Sequence, residues 1–494
     1  MTPGGGDCYD PARFAPHAAR VAGAANEELN RLERNDLRAE RRPRGLFLVL
    51  LLMLLLRWWL ATTPGYPPDL HAYKRWALTA GLVGIESVYD GRLYDYPPLY
   101  AYLLAPVGRL YGAIAPEATE RYETTRTFGD SRTFSLLVKL PPLAFDLLLA
   151  LLLGLLAWRQ RMWTRLRSGG GWFPAWLYLL LPPALICAGY WGQPDVIHTF
   201  WVFLGLALIL RGRPEWGWGA AALGALMKPL ALPFFPLLAL ATLVVCGWRR
   251  LFTAGAVAVA TYVAGYLPFI LTGRTTLVFE RLFTDMGLMP YASVNGHNLW
   301  WLLAPWKPAD VPHFGPITLT MIGQALFLAA LALIFILLWR IERPRFAASG
   351  RHLWSGRRRR PLAQEHHWFL AAAATALAFF TLSTHMHENH SFTAFPFIVL
   401  LAGLGRRWLV YAVVFGFSIG INMLLHDIYL ANEFFSQLGG VSSMYHPDLY
   451  RNLSWGEVII SYGNSLLTVT LFGLLLVWFL RFRRDRAVPP ASAH

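Results

Sequence analysis

An acid, a lysine and a run of histidines stand in separate polar islands of an otherwise apolar chain. Asp69 follows Pro67-Pro68 and opens the stretch Asp69-Leu70-His71-Ala72-Tyr73-Lys74-Arg75-Trp76. Further on come Tyr94-Asp95-Tyr96-Pro97-Pro98-Leu99 and the turn Tyr190-Trp191-Gly192-Gln193-Pro194-Asp195. Asn295-Gly296-His297-Asn298-Leu299-Trp300-Trp301 and Thr384-His385-Met386-His387-Glu388-Asn389-His390 complete the set, and Lys228 interrupts an apolar run. A carboxylate can take the proton of an incoming hydroxyl. Cations can neutralise a departing phosphate. Aromatic and amide groups can hold a sugar ring. Together these types suit group transfer from a phosphate ester, and a lipid-borne phosphate would put that chemistry at a membrane surface.

Each island also has a plainer reading. Asp69 could be a solvated loop acid, and Tyr96-Pro97-Pro98 could simply begin a helix, since proline fits the first turn. Trp191 and Trp300-Trp301 could be interfacial belt aromatics. Lys228 could snorkel to headgroups. The cluster of His385, His387, Glu388 and His390 is the least plain, because ionisable groups at span ends are costly unless paired or functional. Its spacing matches no familiar zinc pattern, so no metal is expected there.

The elements that position these groups follow from hydropathy and charge. The chain has 494 residues, 55% hydrophobic and only 15% charged. That charge deficit, with long apolar runs throughout, excludes a soluble enzyme and a coiled coil and indicates an all-α polytopic membrane protein. Residues 1–44 read as a cytoplasmic basic extension, with a surface helix over 26–41, and 482–494 as a cytoplasmic tail. The net charge is +15, and arginine bookkeeping assigns it to the cytoplasmic face rather than to nucleic acid. Crossing at 99–114 would expose Arg159, Arg161, Arg165 and Arg167 outside, so that stretch is expected as an interfacial helix in one outer loop, 62–132. The remaining runs are 45–60, 134–158, 172–188, 196–210, 251–271, 317–339, 368–382, 392–404, 409–425 and 465–480. The run 216–248 is broken at Lys228-Pro229 into two short helices. This gives about twelve crossings, both termini inside, and further outer loops at 272–316, 383–391 and 426–464. All five polar islands and Lys228 then fall on the outer side. Lys139 and Asp146 are the ionisable groups expected within a span. Cys8, Cys187 and Cys246 show no pairing pattern. No internal repeat is visible.

These residues resemble the GT-C membrane glycosyltransferases, and among them the dolichol-phosphate-glucose-dependent glucosyltransferases of asparagine-linked glycosylation. Those enzymes carry an acid in the first outer loop, an aromatic-rich helix and an Asp-Tyr-Pro-Pro-Leu motif. Asp69 to Trp76 and Asp95 to Leu99 match in order and spacing. Lys228 matches a mid-chain lysine, and His387-Glu388 a late outer His-Glu pair. The family's lysine after that pair is replaced by Asn389-His390. The turn Trp191 to Asp195 is closer to bacterial lipid-dependent mannosyl- and glucosyltransferases. The likeness covers about residues 45–480 and leaves the first 44 outside.

The resemblance implies a GT-C fold of about twelve transmembrane helices, with two interfacial helices in the first outer loop. It implies an inverting transfer of a hexose from a polyprenyl- or dolichyl-phosphate sugar to a lipid-linked or glycolipid acceptor. No metal or cofactor is implied. Asp69 would be the base, Lys228 and His387 would bind the donor phosphate, and Glu388 would orient His387 or hold the sugar. Trp191, Gln193 and Asp195 would shape the sugar pocket, with Asp95, Tyr96, His297 and His385 also against substrate. Asp95 is assigned to the start of the Tyr-Pro-Pro helix, where an acid suits the dipole. The bias to arginine over lysine favours a bacterial plasma membrane, or the endoplasmic reticulum in a eukaryote, and a monomer is expected. Competing readings are a mannosyltransferase of phosphatidylinositol-glycolipid synthesis, and a secondary transporter or lipid flippase. The transporter would place ionisable groups near the midplane and show related halves.

Overall fold

The computed structural model describes residues 43–91, 94–129, 131–159, 170–284, 290–349, 355, 365–436 and 455–481. The expected surface helix over 26–41 and the tail 482–494 lie outside them. Residues up to Leu55 form a unit separate from the compact unit that begins at Leu56.

The described residues are mostly helical, with loops between the helices and a small hairpin pairing Pro312–Phe314 with Ile317–Thr318. Among them, six helices are long and apolar enough to cross a membrane, or seven if one bent pair counts as a span. Helix α1 is Pro43–Ala61, α2 Pro67–Leu78, α3 Leu99–Ile114 and α4 Pro116–Thr125. The first long apolar helix, α5, is Arg132–Arg159. Next come α6, Phe173–Leu180, and α7, Pro182–Trp191, bent by 65° against each other. The run expected as one span over 172–188 is therefore broken. Pro182 cannot donate to the ladder and disfavours a helical Leu181, which is extended at φ −79°, ψ 146°.

Helix α8 is Asp195–Leu210 and α9 is Pro214–Met227. They approach closely enough that a Cβ on Gly205 would lie 2.8 Å from the Gly217 carbonyl oxygen. The expected break at Lys228 is present: α9 ends at Met227, Lys228 is extended, and α10 runs Pro229–Cys246. Proline fixes that boundary, since the residue before it is pushed out of the helical region.

Helix α11 is Trp248–Leu271, and α12, Leu319–Ser349, extends well past the expected end at 339. Helix α13 is His366–Leu382, apolar and buried almost all round, as a core helix should be. Then come α14, His390–Leu404, α15, Arg406–Ser436, and α16, Trp455–Leu480. Helix α16 starts ten residues before the expected 465, because the polar Ser461 and Asn464 face inward rather than into a loop. Both ends of the loop expected over 426–464 are thus helical.

The stretch 99–114 is a helix with two unlike faces. Tyr100, Ala101, Leu104 and Gly108 are buried, while Leu110 and Ile114 are about half exposed. It packs on α2 and on the π-helical turn Thr79–Val83. This is the amphipathic form expected of an interfacial helix, and it is not among the six long spans.

Candidate active site

Helix α2 sets the first half of the site. Pro67 and Pro68 occupy its first turn, where a missing N–H costs nothing. Asp69, Tyr73 and Trp76 then share one face, four and three residues apart. Three donors converge on one Asp69 oxygen. Trp191 Nε1 donates at 2.9 Å, Gln193 Nε2 donates, and the Tyr73 hydroxyl lies at 3.5 Å. Trp191 and Gln193, read from sequence as the walls of a sugar pocket, are thus partners of the carboxylate. Burial pushes the Asp69 carboxyl up to about 7, against the lowering effects of the Trp191 bond and the Lys228 charge. Asp95 and Asp195 add further upward pressure. A carboxyl poised near neutrality, held by donors on one oxygen, has the pKa range a general base needs.

Lys139 builds the turn that carries Trp191 and Gln193. Its ammonium donates to the carbonyls of Tyr190 at 2.6 Å, Thr63 at 2.8 Å and Leu60 at 3.3 Å. It thereby ties the entry to α2 to the end of α7. Two glycines make room for it. Gly192 has φ +78°, and a Cβ there would lie 2.6 Å from Lys139 Cγ. Gly65, at φ +56°, would meet the Tyr190 carbonyl at 2.4 Å. Asp146, the other ionisable group in α5, pairs with Arg57 at 2.7 Å and accepts from the Tyr178 hydroxyl at 2.7 Å. Both mid-span charges therefore serve contacts between helices.

Lys228 forms the second half. Its ammonium bridges both Asp195 oxygens, at 3.0 and 3.1 Å, and Asn389 Nδ2 donates to one of them at 2.9 Å. It also lies over the Tyr96 ring, 5.5 Å from the centroid. Asp195 is therefore placed as the partner of Lys228. The lysine's charge acts on Asp69, Asp195, His387 and His390 alike, which places these groups in one electrostatic neighbourhood.

The rings of Tyr73, Trp76, Tyr94, Tyr96 and Tyr100 form a continuous wall between α2 and α3. No acid lies in the first turn of α3 itself; beside Asp95, the Tyr94 hydroxyl accepts from Ala101 N at 2.9 Å and donates to Pro97 O at 3.2 Å. Asp95 is exposed, close enough for its charge to act on Asp69.

The histidine loop divides. Burial, then Lys228 and His385, push the His387 imidazole down to about 3, so it is neutral at pH 7. It can meet a phosphate as an N–H donor while Lys228 supplies charge. Glu388 lies 4.0 Å from His387 Nδ1, beyond hydrogen-bond reach, and its carbonyl accepts from Asn422 at 2.9 Å. His390 is the closer neighbour, accepting the His387 backbone N–H at 3.2 Å. His385 turns away with φ +61° to Asp310, at 3.1 Å. His297 is fully buried and held by Asn464 at 2.8 Å, while its backbone N–H bonds Asn422.

Tyr73, Lys139, Asn389 and His390 carry contacts that the sequence reading did not assign. Tyr73 was legible as one helical turn from Asp69. Asn389 and His390 stand where the resembled family has its lysine. No protein-family model matches the chain, and a search of curated proteins finds no match.

Proposed function

We propose that the protein is a membrane hexosyltransferase that takes its sugar, glucose or mannose, from a polyprenyl-phosphate donor. The observation that carries this reading is the juxtaposition of a carboxyl poised near pH 7 with the partly buried Lys228, whose ammonium lies over the ring of Tyr96 in the aromatic wall. Asp69 accepts the proton of an acceptor hydroxyl as that oxygen attacks the anomeric carbon. The bond from that carbon to the phosphate oxygen breaks, and polyprenyl phosphate leaves. Lys228 neutralises the departing phosphate, and neutral His387 donates a hydrogen bond to it. A single displacement of this kind inverts the anomeric centre. Tyr96 and Trp76 offer ring faces to the sugar.

The acceptor on this reading is a lipid-linked or glycolipid hydroxyl at the outer or lumenal face. Transport is the less supported alternative, because the mid-span Lys139 and Asp146 are engaged in contacts between helices. The test is incubation of the purified full chain with synthetic polyprenyl-phosphate glucose or mannose and a membrane lipid extract. Release of polyprenyl phosphate with a new hexose-bearing lipid supports the proposal. Uptake of free sugar or lipid into proteoliposomes, without cleavage of either donor, refutes it.

A further inference from the structure

A cavity of about 400 Å³ opens at the other end of α2 from Asp69. That volume falls within the range of small-molecule sites. Arg75, Trp76, Asp90, Tyr94, Tyr122 and Arg126 line it. Trp76 also belongs to the aromatic wall of the candidate active site, beside Tyr73. Asp69 and Trp76 share one helix, and their positions along its axis differ by about 10 Å.

The lining charges are uneven. Arg274 donates to both carboxylate oxygens of Asp90, at 3.1 and 3.2 Å, so that acid is matched. Among the described residues, the guanidiniums of Arg75 and Arg126 have no carboxylate partner. Arg126 lies over the Tyr122 ring, 5.6 Å from its centroid. Tyr122 is buried, and its hydroxyl sits 2.6 Å from Thr79 Oγ1 and 3.3 Å from the Arg75 carbonyl oxygen. One fixed ring therefore supports the Arg126 guanidinium and ties α4 to the turn of α2 that carries Arg75. Arg126 itself ends α4 in the left-handed region, at φ 57°, ψ 21°. Glycine is the usual residue at such a helix end, and a side chain there is strained. Strain of this kind persists where the side chain it positions has a use.

We propose that this cavity binds an acidic sugar, one bearing a phosphate or a carboxylate, with both arginines on the anion and Trp76 and Tyr94 against the ring. The planar fork of a guanidinium matches two oxygens of either anion. Resting on the sugar-transfer reading, the occupant is the acceptor, because the donor's phosphate already has Lys228. The acceptor is then an acidic glycolipid whose anion lies about two helical turns from the attacked hydroxyl.

The test is ligand-observed NMR on the full chain in a detergent without a sugar headgroup. The probes are glucose 6-phosphate, glucuronate, glucose and dihexanoyl phosphatidylglycerol. At least one acidic sugar should bind at least about tenfold more tightly than glucose and than the lipid, the effect of one charge-assisted bond. Arg75→Gln and Arg126→Gly should each remove that preference. Arg126→Gly also relieves the left-handed strain, so its Tm should equal or exceed that of the wild type, and it decides the matter where Arg75→Gln does not fold. Equal binding of glucose and both acidic sugars, tighter binding of the lipid headgroup, or undiminished preference in either folded variant overturns the proposal. Hexose transfer is read separately. A chain with the expected binding that cleaves no polyprenyl-phosphate sugar supports the cavity and refutes the transferase reading. Transfer to an acidic glycolipid that is unchanged by both substitutions overturns the cavity and leaves the transferase reading standing.

Discussion

Replacing Trp191 with phenylalanine removes one donor from Asp69 and keeps the ring that packs edge-on to Tyr66. The Trp191 bond is the largest influence holding the Asp69 carboxyl down against burial. A hydrogen bond to a charged group contributes about 1.5–3 kcal/mol, and 1.36 kcal/mol is one pKa unit. The full bond is thus worth about 1–2 units. Gln193 and Tyr73 remain on the same oxygen, so the lower end applies. The sign follows from the chemistry: losing a donor to the carboxylate destabilises the charged form and raises its pKa. In the wild type, transfer should rise with pH through about 7, as Asp69 loses its proton. In Trp191→Phe that limb should move up by about one unit. At pH 7 the base is then ionised about a tenth of the time instead of half, a loss of roughly fivefold that disappears above pH 9. The assay is kcat/KM against pH for release of polyprenyl phosphate. An unmoved limb, or a rate lowered by one factor at every pH, would refute the reasoning, because only a change in ionisation makes the loss depend on pH.

Three further outcomes follow from the geometry. Lys228→Ala should weaken donor binding roughly ten- to hundredfold, the range of a charge-assisted bond in a dry site; unchanged donor affinity in both Lys228→Ala and His387→Ala would remove the phosphate assignment. Lys139→Met strands three carbonyls and should lower stability by about 2–5 kcal/mol, read as the midpoint of denaturation in detergent; an unaltered midpoint would show that the clamp contributes nothing. In intact cells carrying an otherwise cysteine-free chain, an impermeant thiol reagent should label cysteine at position 120 but not at 160 if 99–114 is the interfacial helix expected from its sequence; the reverse pattern contradicts that topology.

The helices were legible because burial in lipid demands long apolar runs, and the arginines and prolines punctuate them. Lys228-Pro229 marked a break that is present, and the unlike faces of 99–114 suited a helix outside the bilayer core. What hydropathy could not reveal is which polar residue faces which. Ser461 and Asn464 looked like loop, yet they are buried, with Asn464 against Ser418 and His297 and Ser461 against Trp301. Pro182-Pro183 carried the signal for the bend between α6 and α7, masked by the apolar run around it.

At the site, Asp69 was distinguishable by its place after two prolines at a helix start. Its partners were not, because Trp191 and Gln193 lie more than a hundred residues away, on a turn that Lys139 ties to the entry of α2. The same holds for Lys228, Asp195 and Asn389, which come from three separate segments. Spacing along the chain reports neighbours on one helix, such as Asp69 and Tyr73. It is silent on contacts made across helices.

The central claim is that Asp69 acts as the base of a transfer from a lipid phosphate. The measurement that tests it most directly is a single-turnover comparison of wild type and Asp69→Asn with a saturating polyprenyl-phosphate hexose, alongside donor affinity on the same samples. Asparagine keeps the shape and removes the proton acceptor. The expected result is a rate at least about a hundredfold lower with donor affinity and folding intact. Near-normal turnover in Asp69→Asn, with Glu388→Gln or Asp95→Asn folded and inactive, would contradict the account.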